Sequence, residues 1–141
     1  MVPLENDPMF TIFKDFQFSA AHLIRGHRGE CRFLHGHNYR VRVHLGARQL
    51  DAIGMVVDFA ELKELVSAVV GPFDHRNINE IPPFDERNTT AELVSQYVFD
   101  EVDRRLEASR GDRVWVRRVE VWENDTACAV YEPDDRPRGE R

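Results

Sequence analysis

Cysteine is scarce in this chain of 141 residues, with Cys31 and Cys128 the two examples. Two are too few for a disulfide framework, so a reduced, cytoplasmic protein is expected. No apolar run approaches the ~20 residues that cross a bilayer, and the opening MVPLENDPMF has neither the basic start nor the apolar core of a secretory signal. A membrane is therefore not an expected partner. A basic excess is missing too: 19 Lys and Arg stand against 25 Asp and Glu, a formal net charge of −6. That argues against a nucleic-acid surface, although not against a small polyanion, for which local potential matters more. Repeats, low-complexity tracts and linkers are also absent. A single domain over 1–141 is expected, with flexible tails at 1–9 and 133–141.

What is present is periodic. Phe10, Ile12, Phe16, Phe18, Ala20 and His22 share one parity, which marks a half-buried strand. A second strand carries Tyr39, Val41, Val43 and Leu45 on its apolar side, and His35 and His37 continue that side. Asp58 with Glu61 makes an acidic capping box for a helix bearing Phe59, Leu62, Val66, Val69 and Val70, stopped at Gly71-Pro72. After a polar loop, Thr89 with Glu92 is expected to cap a second helix with a stripe of Leu93, Tyr97, Val98, Val102 and Leu106. VWVRRVEVW and ACAVY then read as two strands that turn at Glu123-Asn124-Asp125. The order β-β-α-α-β-β predicts an α+β fold: a four-stranded antiparallel sheet with two helices on one face.

The chemistry concentrates in CRFLHGHNYR, residues 31–40. Residues two apart on a strand point the same way, so His35 and His37 present two imidazoles from one face, and His22 adds a third from the neighbouring strand. Burying three imidazoles without partners is costly. A three-histidine zinc site with an open fourth position answers that cost, and it is the pattern of a catalytic zinc. Cys31 has three readings: a fourth ligand that would make the zinc structural, a reactive thiol beside the metal, or an inert buried residue. Asp74-His75 lies in an irregular loop, where a carboxylate can set an imidazole's tautomer, although adjacent residues often face apart. Glu123 has the parity of Val119 and Val121 and needs donors from a protein partner or from a ligand's amidine or guanidine edge. Arg25, His27, Arg28 and Arg32 crowd the approach to the histidine pair; charge alone reads as a solvated loop.

FSAAH (18–22), CRFLHGH (31–37), GMVVDFAELK (54–63), FDHRNIN (73–79), TTAE (89–92) and VEVWEND (119–125) occur in this order. Together they resemble the 6-pyruvoyltetrahydropterin synthase superfamily, and most closely its bacterial 6-carboxytetrahydropterin synthase branch, from about Phe10 to Glu132. The resemblance implies the tunnelling fold (T-fold), with subunits joined into trimeric barrels, two barrels stacked as a homohexamer, and sites between subunits. It implies zinc as cofactor on His22, His35 and His37. Cys31 is implied as the catalytic thiol, with Asp74 and His75 completing a proton-transfer triad. Glu123 is implied as the anchor of the pterin ring, with Thr90 a further substrate-binding residue. Asn124, where many relatives carry threonine, and the bulky Trp122 depart from the pattern near that anchor.

The implied substrate is 7,8-dihydroneopterin triphosphate. In the carboxy branch, triphosphate and acetaldehyde are lost to give 6-carboxytetrahydropterin, in queuosine or other 7-deazapurine biosynthesis. In the pyruvoyl branch the side chain is kept. VVDFAELK and the compact C-x-x-x-H-G-H segment look more like the carboxy branch. From a different class, a catalytically silent zinc-binding assembly protein would use Cys31 to close the metal shell.

Overall fold

The computed structural model describes residues 8–134; of the expected tails, 1–7 and 135–141 lie outside the described residues. The elements are β1 (Phe10–His22), β2 (His35–Ala47), α1 (Phe59–Val70), β3 (Arg76–Asn77), α2 (Ala91–Arg110), β4 (Trp115–Asn124) and β5 (Ala127–Tyr131). Strand order is β3-β1-β2-β4-β5. β1 and β2 pair antiparallel in unbroken register from Phe10↔Ala47 to His22↔His35. β4 pairs antiparallel with β2 and with β5.

The four expected strands are present, but the sheet has a fifth, and it is mixed rather than wholly antiparallel. β3 runs parallel to β1 at Ala20↔Arg76 and Ala21↔Asn77. The chain leaves α1 through a tight 3-10 turn at Gly71–Phe73. His75 then takes a left-handed φ of 59°, and its N–H donates to the Ser19 carbonyl at 2.6 Å. That turn lays the next two residues along β1. A strand of two residues carries no period-2 signal, which is why the sequence reads as loop there.

One face of the sheet meets the helices. Phe16, Phe18 and Ala20 of β1, Tyr39, Val41, Val43 and Leu45 of β2, and Val119 and Val121 of β4 form one buried cluster with Leu62, Val66, Val69 and Val70 of α1. From α2 the cluster takes Val94, Val98, Phe99, Val102 and Leu106. Phe59 and Leu93, expected on the apolar stripes, are instead exposed: Phe59 is the first residue of α1, and Leu93 lies off the buried row of α2, which follows the i, i+4 series 94–98–102–106. The other sheet face is polar: Arg42 holds Asp15 through two hydrogen bonds of 2.7 and 3.0 Å, and His44 pairs with Glu120 at 2.5 Å.

Both helix starts differ in detail from the capping-box expectation. Asp58 caps α1 by accepting from Ala60 N at 2.8 Å, while Glu61 pairs with Arg110 at 2.7 Å. At α2 the cap is Thr90, whose hydroxyl accepts from Leu93 N at 3.2 Å. Thr89, expected in that role, is wholly buried and bonded elsewhere.

Candidate metal centre

The β1–β2 register brings the three histidines together. His22 faces His35 directly, and His37 is opposite Ala20, so all three lie on the helix-covered side at one end of the sheet. Ring centroids are 4.6 Å apart for His22 and His35, 5.1 Å for His22 and His37, and 4.9 Å for His35 and His37. One nitrogen from each ring lies within 4.8 Å of the other two. Among the described residues this is the one group of His, Cys, Asp or Glu side chains that could hold a metal ion, and neither Cys31 nor a carboxylate belongs to it.

Two of the rings are aimed by bonds to their far nitrogens. His22 Nδ1 is 2.9 Å from the Thr89 carbonyl oxygen, and His35 Nδ1 is 2.8 Å from that of Phe33. A carbonyl can only accept, so each Nδ1 carries the proton and each Nε2 keeps its lone pair. Nε2 of His22 and of His37 is buried without a hydrogen-bond partner. An unpaired buried polar atom costs ~1–3 kcal/mol, which a bound cation would remove. Burial pushes the pKa of His22 down, partly offset by the Thr89 carbonyl. Burial also lowers that of His37, against the pull of Glu123. Neutral imidazole is the form that ligates zinc. The donor set fits a three-histidine zinc with an open position.

Glu123 lies beside this group, its Oε2 3.5 Å from His37 Nε2. Burial disfavours a charged His37 ring in this contact, against the opposing pull of the Glu123 charge. β4 continues through Glu123 instead of turning there, and the β4–β5 register shifts between Trp122 and Asn124. Glu123 occupies that bulge, which re-aims its side chain. Tyr39 stacks on Phe18 at 4.8 Å and approaches His22 and His37 edge-on. Its hydroxyl is buried and unpaired, and burial together with the Glu123 charge drives its pKa upward.

The remaining predicted residues are placed less centrally. Cys31 is a free, half-buried thiol in a 3-10 turn at Glu30–Arg32, and its carbonyl accepts from Ile24 N at 2.7 Å. Asp74 and His75 do meet, with His75 Nδ1 3.0 Å from Asp74 Oδ1. The Ser19 N–H, at 3.0 Å from the same oxygen, is the main influence holding the Asp74 carboxyl below the usual range. Asp74 borders a polar cavity of about 400 Å3 with Ser19, Asn38, Arg40 and Trp122 on the open sheet face. His75, 82% exposed, borders a groove of about 540 Å3 with residues 19–21, 36–38, 76 and 77. Among the described residues, no hydrogen bond or ion pair joins this dyad to Cys31 or to the three histidines. Thr90 caps α2 one residue from the Thr89 that supports His22. In the basic cluster, Arg25 is occupied structurally: its guanidinium donates to the carbonyls of Arg87, Phe84, Asn79 and Asp85 at 2.7–3.3 Å.

Sequence reasoning missed two residues of the site. Tyr39 carried a signal, since it continues the parity of His35 and His37. Thr89 carried none, because its partners His22, Leu23 and Asn79 are distant along the chain.

A family model described as 6-pyruvoyl tetrahydropterin synthase matches residues 11–134. The 6-carboxy-5,6,7,8-tetrahydropterin synthase of Bacillus subtilis (strain 168) is 36% identical over 129 residues, covering 88% of this chain and 86% of that protein. The 6-pyruvoyl tetrahydrobiopterin synthase of Homo sapiens is 33% identical over 99 residues, covering 69% and 65%. The solved Caenorhabditis elegans 6-pyruvoyl tetrahydropterin synthase has a similar fold, with a TM-score of 0.76, 28% identity and coverage of 90% of this chain and 97% of that one.

If the histidines hold the metal, zinc-loaded and dialysed protein should retain about one zinc per chain by elemental analysis. His35→Ala should retain almost none, while Cys31→Ala should retain the full complement.

Proposed function

The chain belongs to the 6-pyruvoyl tetrahydropterin synthase family, and from that premise we propose that it is a zinc-dependent 6-carboxytetrahydropterin synthase. It acts as a carbon–carbon lyase on 7,8-dihydroneopterin triphosphate, releasing triphosphate and acetaldehyde, in queuosine or other 7-deazapurine biosynthesis. The observation that carries this reading is the histidine group with two unpartnered buried Nε2 atoms, set beside the Glu123 carboxylate. The carboxy product is favoured by the name of the Bacillus relative and by its coverage of this chain. The human relative supports the alternative, a 6-pyruvoyltetrahydropterin synthase that keeps the side chain. A silent zinc-binding assembly protein is disfavoured because Cys31 stands outside the histidine group.

Zinc held by His22, His35 and His37 supplies a Lewis acid for the substrate's side-chain oxygens. The protein's own groups do the rest. Glu123 offers two acceptor oxygens to the adjacent N–H donors of a pterin edge, which fixes the ring relative to the histidines. Cys31 takes and returns a proton as a positioned acid–base group. Asp74 accepts the Nδ1–H of His75, which leaves Nε2 as the proton-accepting atom. Thr90 keeps its hydroxyl proton for a ligand, because toward Leu93 its oxygen only accepts.

A homohexamer, a dimer of trimers, fits the same features. The Asp74–His75 dyad faces outward from its own chain, where it can serve a neighbouring subunit's site. β1 from Phe10 to Phe18 and the outer side of β5 have free edges among the described residues, and free edges invite strand pairing between copies.

The decisive assay incubates zinc-loaded protein with 7,8-dihydroneopterin triphosphate and identifies the products by mass spectrometry. 6-Carboxytetrahydropterin with acetaldehyde is expected; a product that keeps its side chain would instead assign the pyruvoyl reaction. In that assay Cys31→Ala should lose roughly 10²–10⁴-fold in turnover, and a loss of only a few-fold would make Cys31 a bystander. Glu123→Gln puts a donor against a ligand N–H. By titration calorimetry it should weaken pterin binding by about 2–5 kcal/mol with zinc content unchanged. Normal binding would remove Glu123 from recognition.

A further inference from the structure

Thr89 stands at the junction of the metal centre and the rest of the fold. It is 0% exposed and has given up the helix-capping role to Thr90. Its carbonyl oxygen lies 2.9 Å and its Oγ1 3.2 Å from His22 Nδ1. The same Oγ1 lies 3.0 Å from the Leu23 carbonyl and 3.2 Å from Asn79 Oδ1. Asn79 is itself fixed at both ends of its amide: Oδ1 accepts from Leu23 N at 3.0 Å, and Nδ2 donates to Leu23 O at 3.0 Å. Turning that amide over would set Nδ2 against the Leu23 N–H, so its orientation is determined.

These contacts dictate where the protons lie. Leu23 O and Asn79 Oδ1 are acceptors, so the Thr89 hydroxyl proton points to one of them. Its lone pairs are left facing His22, beside a carbonyl that also only accepts. His22 Nδ1 therefore sits against two acceptors and must carry hydrogen. The lone pair is on Nε2, the buried atom without a partner. His35 has a simpler arrangement, a single carbonyl two residues away in the chain. His22 is instead set by a segment more than sixty residues distant.

We propose that Thr89 is a positioning residue for the metal: its hydroxyl, oriented by Asn79 and Leu23, joins its own carbonyl in holding the His22 ring and its Nδ1–H tautomer, and so presents Nε2 for coordination. The proposal rests on the reading of the three histidines as zinc ligands. Groups that orient a ligating histidine from behind typically contribute 10–100-fold in metal affinity.

Two measurements test it. The first is zinc affinity by competition with a chromophoric chelator, for the parent chain, Thr89→Val and Thr89→Ser. Thr89→Val keeps the shape without the hydroxyl and should bind zinc roughly 10–100-fold more weakly, whereas Thr89→Ser should restore affinity to within a few-fold. Equal affinity in parent and Thr89→Val would overturn the proposal. The second needs no variant: long-range 1H–15N correlation spectra of the metal-free parent, at about pH 8 where imidazoles are neutral. The Nδ1–H form of His22 is expected, and the Nε2–H form would overturn the proposal even if Thr89→Val failed to fold. Failure of the zinc reading itself would look different. The parent would then bind no more zinc than His35→Ala, with His22 still in its Nδ1–H form.

Discussion

The whole arrangement depends on the unbroken register of β1 against β2, because that register is what turns three histidines, separated in sequence, into one cluster. Side chains alternate along a strand, so a slip of one residue would move every buried side chain of β1 to the opposite face. The large aromatic and aliphatic residues forbid such a slip. Phe16, Phe18 and Ala20 would leave the core along with His22, and several kcal/mol of burial would go with them. The apolar residues thereby hold the imidazoles at a polar, metal-ready position that the histidines could not maintain by themselves. Tyr39 makes the link direct, packing on Phe18 and standing edge-on to two of the rings.

The loops extend the same constraint. Arg25, three residues past the end of β1, gathers four carbonyls of the segment ahead of α2, and Asn88 returns two bonds to the Arg25 backbone. That segment delivers Thr89 to the back of His22 and Thr90 to the first turn of α2. On the far side, the bulge at Glu123 brings a carboxylate within 3.5 Å of His37. The candidate metal face is thus assembled from β1, β2, the start of α2 and the end of β4. The Asp74–His75 pair makes no bond to this face: Asp74 borders the side of the sheet that one chain leaves open, and His75 borders a groove that His37 also lines.

Features with local causes were legible in the sequence, and features with distant causes were not. Strand parity revealed His22, His35 and His37, since alternation is a property of each strand alone. Asp58 and the stop at Gly71 also read correctly for the same reason. The two-residue β3 did not, because its pairing is created by the turn at His75 and the Ser19 carbonyl. Adjacent threonines made the α2 cap ambiguous. Only the tertiary competition for Thr89, from His22, Leu23 and Asn79, assigns the cap to Thr90. Glu123 was placed on the correct side of β4, yet the turn was expected at it, whereas the strand bulges there and continues. Family resemblance implied roles for Cys31, Asp74 and His75; the geometry of a single chain holds the last two together, and among the described residues no hydrogen bond or ion pair joins them to the thiol.

Zinc K-edge X-ray absorption on the zinc-loaded resting protein tests the central claim most directly, because it counts sulfur neighbours without reference to activity. An open three-histidine site predicts a shell of nitrogen and oxygen donors at about 2.0–2.1 Å and no sulfur. A sulfur scatterer near about 2.3 Å would contradict it, making Cys31 a ligand and the zinc structural.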